Sequence, residues 1–297
     1  MMWIRRLMLA VSVLVSGVGQ VMAGDAKPEE VERAKAAMPE KAPAKPEKAR
    51  KLLIFTGSKG FYHDSIPLGA EAIKFLGEKS GAYTAVITND SGAFRADSLK
   101  DFDAVFLDNT TGNLFDGEEM KAALLDFVNS GKGIAGNHGA TDCFYGWKEF
   151  GDMIGGYFKG HPFRRISVKL DDHKSPINAC FGGKGFVISD EIYTFKEPYS
   201  RDKLHILLSL DWDNTHAKKG NRSDNDYALS WIQEYGKGRV FYTAFGHDHD
   251  IFWNKAILEH MLAGIQYALG DLKADATPTA KINPAVEPVR GPDLEAK

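Results

Sequence analysis

Between residues 51 and 270 short apolar runs alternate with stretches whose apolar positions recur every three to four residues, the pattern of strand–helix–strand construction. KLLIFT (51–56) reads as a buried strand that ends at a glycine, and 69–79 follows with Ala70, Ile73, Phe75 and Leu76 mostly on one helical face. Strands are predicted at 83–88, 103–107 and 133–137, with a strong helix over 117–129 that repeats Met120, Leu124 and Phe127/Val128 at helical spacing. A helical pattern resumes over 147–157. The second half is richer in β-type composition, at 165–170, 186–195 and 204–210, and it closes with a central strand RVFYTAF (239–245) and a helix over 255–269. Right-handed crossovers would place helices on both faces of the sheet.

This order predicts an α/β fold, a three-layer αβα sandwich of flavodoxin-like type, built on a mostly parallel sheet with inserted strands. The flanks differ from it. Residues 24–50 are mainly Ala, Lys, Glu and Pro, and 271–297 carry Pro278, Pro284, Pro288 and Pro292, so neither has the apolar content to fold alone. They read as a linker and a tail that tether the domain or hug its surface. Residues 1–23 join Arg5 and Arg6 to an apolar run and to Val21-Met22-Ala23, a signal-peptide pattern with cleavage expected after Ala23. The apolar stretch is shorter than the ~20 residues that span a bilayer, so the mature chain is expected to be exported, periplasmic or extracellular, without a transmembrane anchor.

Composition narrows the function classes. At 43% hydrophobic and 26% charged residues the chain can bury a sizeable core, which excludes wholesale disorder. Its formal charge is −3, and loss of Arg5 and Arg6, the only charges in the signal segment, takes it to −5. Nucleic acid is therefore not an expected partner. Export permits a bridge between the two cysteines, Cys143 and Cys180, but two buried thiols are the other reading.

Ligands of open parallel sheets bind beyond the carboxyl ends of the strands, where loops converge and helix N-termini point. That rule collects Lys59, Tyr62, His63 and Asp64 after the first strand, and Asp108, Asn109 and Thr110 after the third. It adds His138, Thr141 and Asp142 after the fourth, and His247, Asp248 and His249 after the last. His63, His138 and His247 are thus expected on one rim, whereas His173, His205, His216 and His260 read as structural or surface residues. GIAGNHGATD (133–142) resembles a nucleophile elbow, but an imidazole stands where a Ser or Cys would be. His138 there suits a base, an acid or a metal ligand.

A divalent metal ion held by His138, Asp142 and His247 is one reading, because His138 and Asp142 are four residues apart if a helix has begun; uncoordinated His/Asp pairs are the other. Aromatic residues near these clusters, among them Phe61, Tyr62, Tyr145 and Trp147, suit sugar faces, with core packing as the alternative. Residues 213–226 have the composition of a mobile loop that could cover the rim.

FTGSKGFYHDSIP (55–67), GIAGNHGATDCFYGWKEFGDMIGGYFKGHP (133–162), DEIYTF (190–195), LLSLD (207–211) and YGKGRVFYTAFGHD (235–248) closely resemble the ThuA-like, or trehalose-utilisation, family over about 51–270. That resemblance implies a class I glutamine amidotransferase-like fold without its catalytic cysteine, hence no glutaminase activity. It implies carbohydrate metabolism, including pathways that oxidise a sugar at its third carbon. The family's recurring polar positions correspond here to His63, Asp64, His138, Asp142, His161, Glu191 and His247. Tyr62 stands where many relatives carry Arg, and Asn137 where an apolar residue is commoner.

The resulting expectation is an enzyme for oxidised glycosides or disaccharides that abstracts a proton beside a ketone and eliminates the glycosidic group. His138 would serve as base or ligand, His63 and His247 as its partners, and Asp142 or Glu191 as orienter or acid. Tyr62, Asp64, Asn109, Trp147 and His161 are the substrate-binding candidates for a sugar ligand. The alternative is a non-catalytic carbohydrate-binding or assembly module, and oligomerisation is left open.

Overall fold

The computed structural model describes residues 25–295, so the predicted signal segment lies outside the described residues. The strands are β1 (Lys51–Phe55), β2 (Thr84–Thr88), β3 (Ala104–Asp108), β4 (Thr111–Gly112), β5 (Gly133–Asn137), β6 (Asp142–Cys143), β7 (Tyr157–Leu170), β8 (Phe186–Lys196), β9 (His205–Leu210), β10 (Ala228–Tyr235) and β11 (Gly238–Thr243). Nine of them form one sheet in the order β2-β1-β3-β5-β11-β10-β9-β7-β8, while β4 and β6 make a small ladder of their own. From β2 to β11 neighbouring strands are parallel; from β11 to β8 each pair is antiparallel.

The parallel half explains its own sequence. β3 and β5 are buried at every position, as strands covered on both faces must be, and their apolar runs therefore show no alternation. One face is covered by α2 (Ile66–Ser80) and α7 (Lys255–Leu269), with α1 (Pro28–Ala37) packed on α2. The other carries α3 (Ala96–Leu99), α4 (Glu118–Asn129) and α5 (Lys148–Ile154). α2 starts three residues earlier than its apolar face suggests, because Pro67 fits a first turn whose N–H groups have no helical partner. It stops at Gly81, which takes the left-handed conformation, φ 71°.

Two departures come from the antiparallel half. The helix expected over 147–157 ends at Ile154, and β7 begins at Tyr157 rather than near 165, with register shifts against β8 between Phe158 and Arg165. Such irregularity bends a strand and hides its alternation. β10 escapes the periodicity because Ala228–Gln233 are all buried. Among the described residues no helix is long and apolar enough to cross a membrane.

The flanking segments lie on the domain. The stretch 24–50 contains α1, favoured by Pro28 in its first turn and by Glu29 and Glu30 at its positive end, and it buries Ala34 and Met38. Arg50 is joined to Asp271 by bonds of 2.6–3.0 Å, in a pair shielded from solvent. Further on, Val289 bridges to Leu170 and Arg290 binds Asp211. α6 (Trp212–Thr215) opens the segment expected as a cover, whose Asn221 donates to Thr194 of β8 at 2.7 Å.

His260 of α7 is wholly buried between Ser230 Oγ (2.9 Å) and the Ile177 carbonyl (3.2 Å), and burial lowers its pKa to about 4. The unfolded chain, with histidine near 6.5, takes up that proton first, so stability falls as pH drops from about 6.5 to about 4. His260→Gln is expected to flatten this part of the stability–pH curve by roughly 3 kcal/mol. Urea unfolding at neutral pH and near pH 4 checks it; equal acid losses in both proteins would acquit His260.

Candidate functional site

Five chain segments meet beyond the carboxyl ends of the parallel strands. The loop after β1 carries His63, the end of β3 leads to Asn109, β5 runs into His138, and β11 leads to His247. The fifth is β8, which the bent β7–β8 pair brings over the rim with Asp190, Glu191 and Tyr193.

The elbow after β5 is real and strained. His138 sits at φ 37°, a conformation that L residues rarely adopt, and starts a 3-10 turn over His138–Thr141. Gly139 permits it, since a Cβ there would come within 2.8 Å of the Asn109 backbone. Asn109, also left-handed at φ 49°, locks the neighbouring segments: its amide nitrogen donates to the Gly246 carbonyl (2.8 Å) and to Ser65 Oγ (3.1 Å). Its backbone N–H donates to Asn137 Oδ1 (2.9 Å), which gives the unusual residue before the elbow a structural task.

The three predicted imidazoles come together. Ring centroids lie 4.9 Å apart for His63–His138, 5.1 Å for His138–His247 and 5.4 Å for His63–His247. His138 Nε2 is 3.3 Å from His247 Nδ1 and 3.7 Å from Glu191 Oε1, and His247 Nδ1 is 3.5 Å from the same oxygen. The other carboxylate oxygen is 3.4 Å from His161 Nδ1. His63, His138, His247 and Glu191 each offer a donor atom within 4.8 Å of the others, so among the described residues these four are able to share an ion.

Hydrogen bonds set the tautomers. His138 Nδ1 faces the Ala244 carbonyl at 3.0 Å and His63 Nδ1 the Asn109 carbonyl at 3.3 Å. A carbonyl oxygen only accepts, so each Nδ1 carries the proton and each Nε2 presents a lone pair. Burial keeps both rings neutral: it lowers His138, and with the neighbouring imidazoles it takes His63 down to about 3. Burial works against the Glu191 carboxylate, but His138, His247 and His161 outweigh it and hold its pKa at about 2. Glu191 is therefore an anion amid imidazoles.

Asp190 supports the arrangement from behind. Its buried carboxylate accepts from the backbone N–H groups of Glu191 (2.9 Å), Gly246 (2.8 Å) and Asp248 (2.9 Å), which ties the turn holding His247 to β8. The Tyr193 ring lies 3.8 Å from that of His138. The sequence reading gave neither residue such a part. The available signal was adjacency, because neighbouring residues of a strand face opposite sides, so Asp190 turns inward where Glu191 turns to the cluster.

Other candidates sit elsewhere. Asp142 lies outside the cluster and accepts a hydrogen bond from the Tyr145 hydroxyl. The four-residue spacing fails because the segment is a 3-10 turn followed by β6, not an α-helix; in the metal set its place falls to Glu191 and His63. Trp147 is buried among Phe115, Phe144 and Phe150, a core residue rather than a platform for sugar. Tyr62 and Asp64 line a neighbouring hollow with Glu30, Pro67 and His249. Asn109 is fully buried, so it positions others instead of meeting a ligand. Both cysteines are free; Cys143 is sealed against Thr110, its thiol pushed up by burial.

The cluster opens to solvent on one side. His63 and His138 are buried, Glu191 and His247 are 19% and 24% exposed, and His161 is 53% exposed. The ring of Phe61, 66% exposed, stands 4.9 Å from that of His63.

The sequence pattern of the ThuA family, described as trehalose utilisation, matches residues 51–268. A ThuA-like protein from Bacteroides uniformis ATCC 8492 has a similar structure, with a TM-score of 0.60 and 20% identity over 76% of this chain and 94% of its own. Another, from Parabacteroides merdae ATCC 43184, gives 0.57 and 20% over 77% and 93%. At this identity the likeness shows the fold alone. No curated protein matches the chain in sequence.

Proposed function

The chain belongs to the ThuA, or trehalose-utilisation, family, and from that premise we propose an exported enzyme that processes oxidised glycosides or disaccharides at its imidazole–carboxylate cluster. One observation carries the reading: three imidazoles from separate strand ends and the Glu191 carboxylate of β8 converge in one cluster whose His247 and Glu191 side opens to solvent. The Arg5-Arg6, apolar and Val21-Met22-Ala23 pattern supports export.

The chemistry suits a sugar bearing a ketone. Its carbonyl acidifies the adjacent C–H, and the carbon between the carbonyl and the glycosidic carbon can lose its proton to a base while the electron pair moves onto the carbonyl oxygen. Return of that pair re-forms the ketone, makes a carbon–carbon double bond and breaks the glycosidic C–O bond. The departing oxygen takes up a proton.

Burial distributes the parts. His138 has no exposed surface and cannot reach a substrate C–H, so it holds its neighbours in place. His161 is half exposed and braced through Nδ1 by Glu191, which suits it to take the proton, with the carboxylate stabilising the imidazolium. Phe61 offers a flat ring to the sugar. Direct hydrolysis by paired carboxylates is disfavoured, since Glu191 is the sole carboxylate of the four-residue group.

Incubation of the full chain in D2O with a 3-oxo-glucoside and with its unoxidised parent tests the reading. NMR is expected to show deuterium entering beside the ketone, and release of the aglycone, with the oxidised sugar alone. Binding of either sugar without exchange or release would replace the enzyme with a carbohydrate-binding module.

A further inference from the structure

We propose that His63, His138, His247 and Glu191 together hold one first-row divalent transition ion of the zinc class, with His247 and Glu191 on its solvent-facing side. Three of the donor atoms form a triangle with edges of 3.3, 3.5 and 3.7 Å. Nitrogen and oxygen ligands ~2.1 Å from a tetrahedral ion are about 3.4 Å apart. His63 supplies the fourth donor within 4.8 Å.

The surroundings of the ligands point the same way. The Nδ1–H groups of His63 and His138 are both spent on backbone carbonyls, the outer arrangement that aims the other ring nitrogen at a metal. Three of the four donor atoms, His138 Nε2, His247 Nδ1 and Glu191 Oε1, converge on one point, and a carboxylate there calls for a cation beside it. Among the described residues Glu191 has ion-pair partners only in His138, His161 and His247, so no Lys or Arg fills that need.

Donor type selects the ion. Three imidazoles and one carboxylate suit zinc, or cobalt, nickel, iron and manganese, better than calcium or magnesium, which prefer all-oxygen sets. His161, on the outer oxygen of Glu191, is not in the set and stays available to a substrate. The inference deepens the proposed function, because an ion there would polarise a ketone oxygen taken up as a fifth ligand, but it is measured independently of turnover.

The test uses the full chain, purified without a polyhistidine tag, stripped with chelator and dialysed against zinc, cobalt or manganese. Elemental analysis is expected to find about one ion per chain, with visible absorption bands from the cobalt form and a melting temperature raised by the ion. His247→Gln, at a partly exposed position, is expected to weaken binding at least about tenfold and abolish the rise in melting temperature, as is Glu191→Gln. His249→Gln and His161→Gln should keep full occupancy. Circular dichroism verifies that the variants are folded. Substoichiometric metal in the wild type, or equal occupancy in His247→Gln, overturns the proposal. An ion bound with no turnover of oxidised sugars would keep the site and reject the enzyme; turnover by a wild-type chain that takes up no ion would do the reverse.

Discussion

Replacing Glu191 with glutamine is expected to lower kcat/KM on an oxidised glycoside by about a thousandfold while leaving the fold within about 1 kcal/mol of wild type. The side chain keeps its size but loses its charge, which reaches His138 and His247 through one oxygen and His161 through the other. Among the described residues no other carboxylate belongs to the cluster to replace it. Since its pKa is held at about 2, Glu191 is ionised throughout the working pH range, and the loss should be equally severe at pH 6 and pH 8. Asp142→Asn is the companion measurement. Asp142 lies outside the cluster, bonded to Tyr145, so its substitution should change kcat/KM only a few-fold. Near-normal turnover in Glu191→Gln, or an equal loss in Glu191→Gln and Asp142→Asn, would overturn the proposed reaction centre.

The second large effect concerns Asn109. Asn109→Ala is expected to destabilise the protein by roughly 3–5 kcal/mol, the sum of three buried hydrogen bonds and a left-handed backbone that alanine tolerates poorly. The bonds lost are those donated to Gly246 and Ser65 and the one accepted from the Gly139 N–H at 3.3 Å, so the loops that carry these residues would come apart from one another. Asn109→Gly separates the contributions: it relieves the φ of 49° without restoring the amide, and should recover only about 1 kcal/mol. Urea unfolding with an unchanged m-value measures both. A loss under about 1 kcal/mol in Asn109→Ala would mean that the loops hold together without the amide.

Much of the scaffold is legible before any coordinates. Gly133–Asn137 is predicted residue for residue, because a strand covered on both faces between two turn signals leaves few alternatives. The meeting of His63, His138 and His247 follows from topology, since parallel strands deliver their C-terminal loops to one edge. Glu191 comes from the family resemblance, not from that rule, because it lies within a strand that reaches the rim by bending.

The failures have local causes. Asp142 looks like a ligand on helical spacing, and a 3-10 turn of three residues instead of 3.6 carries it away from His138. Trp147 resembles a sugar platform because composition does not distinguish an exposed ring from one stacked in the core. Asp190 is adjacent to a polar neighbour that faces the site, and its own task depends on backbone N–H groups, which leave no mark on the sequence. α1 was hidden by low hydrophobicity, since a helix laid against an existing domain needs only Ala34 and Met38 to anchor it.

That helix also reaches the hollow beside the site. Glu30 accepts from His249 Nδ1 at 3.1 Å, two residues beyond His247, and the other nitrogen of His249 lies 3.4 Å from Asp64. A version trimmed to the family-matched span, 51–268, would retain every residue of the cluster yet lose this brace, together with both members of the Arg50–Asp271 pair. Kinetic constants taken from so short a recombinant piece would describe a slacker entrance than the native one, and substrate screens are better run on material that keeps its upstream buttress.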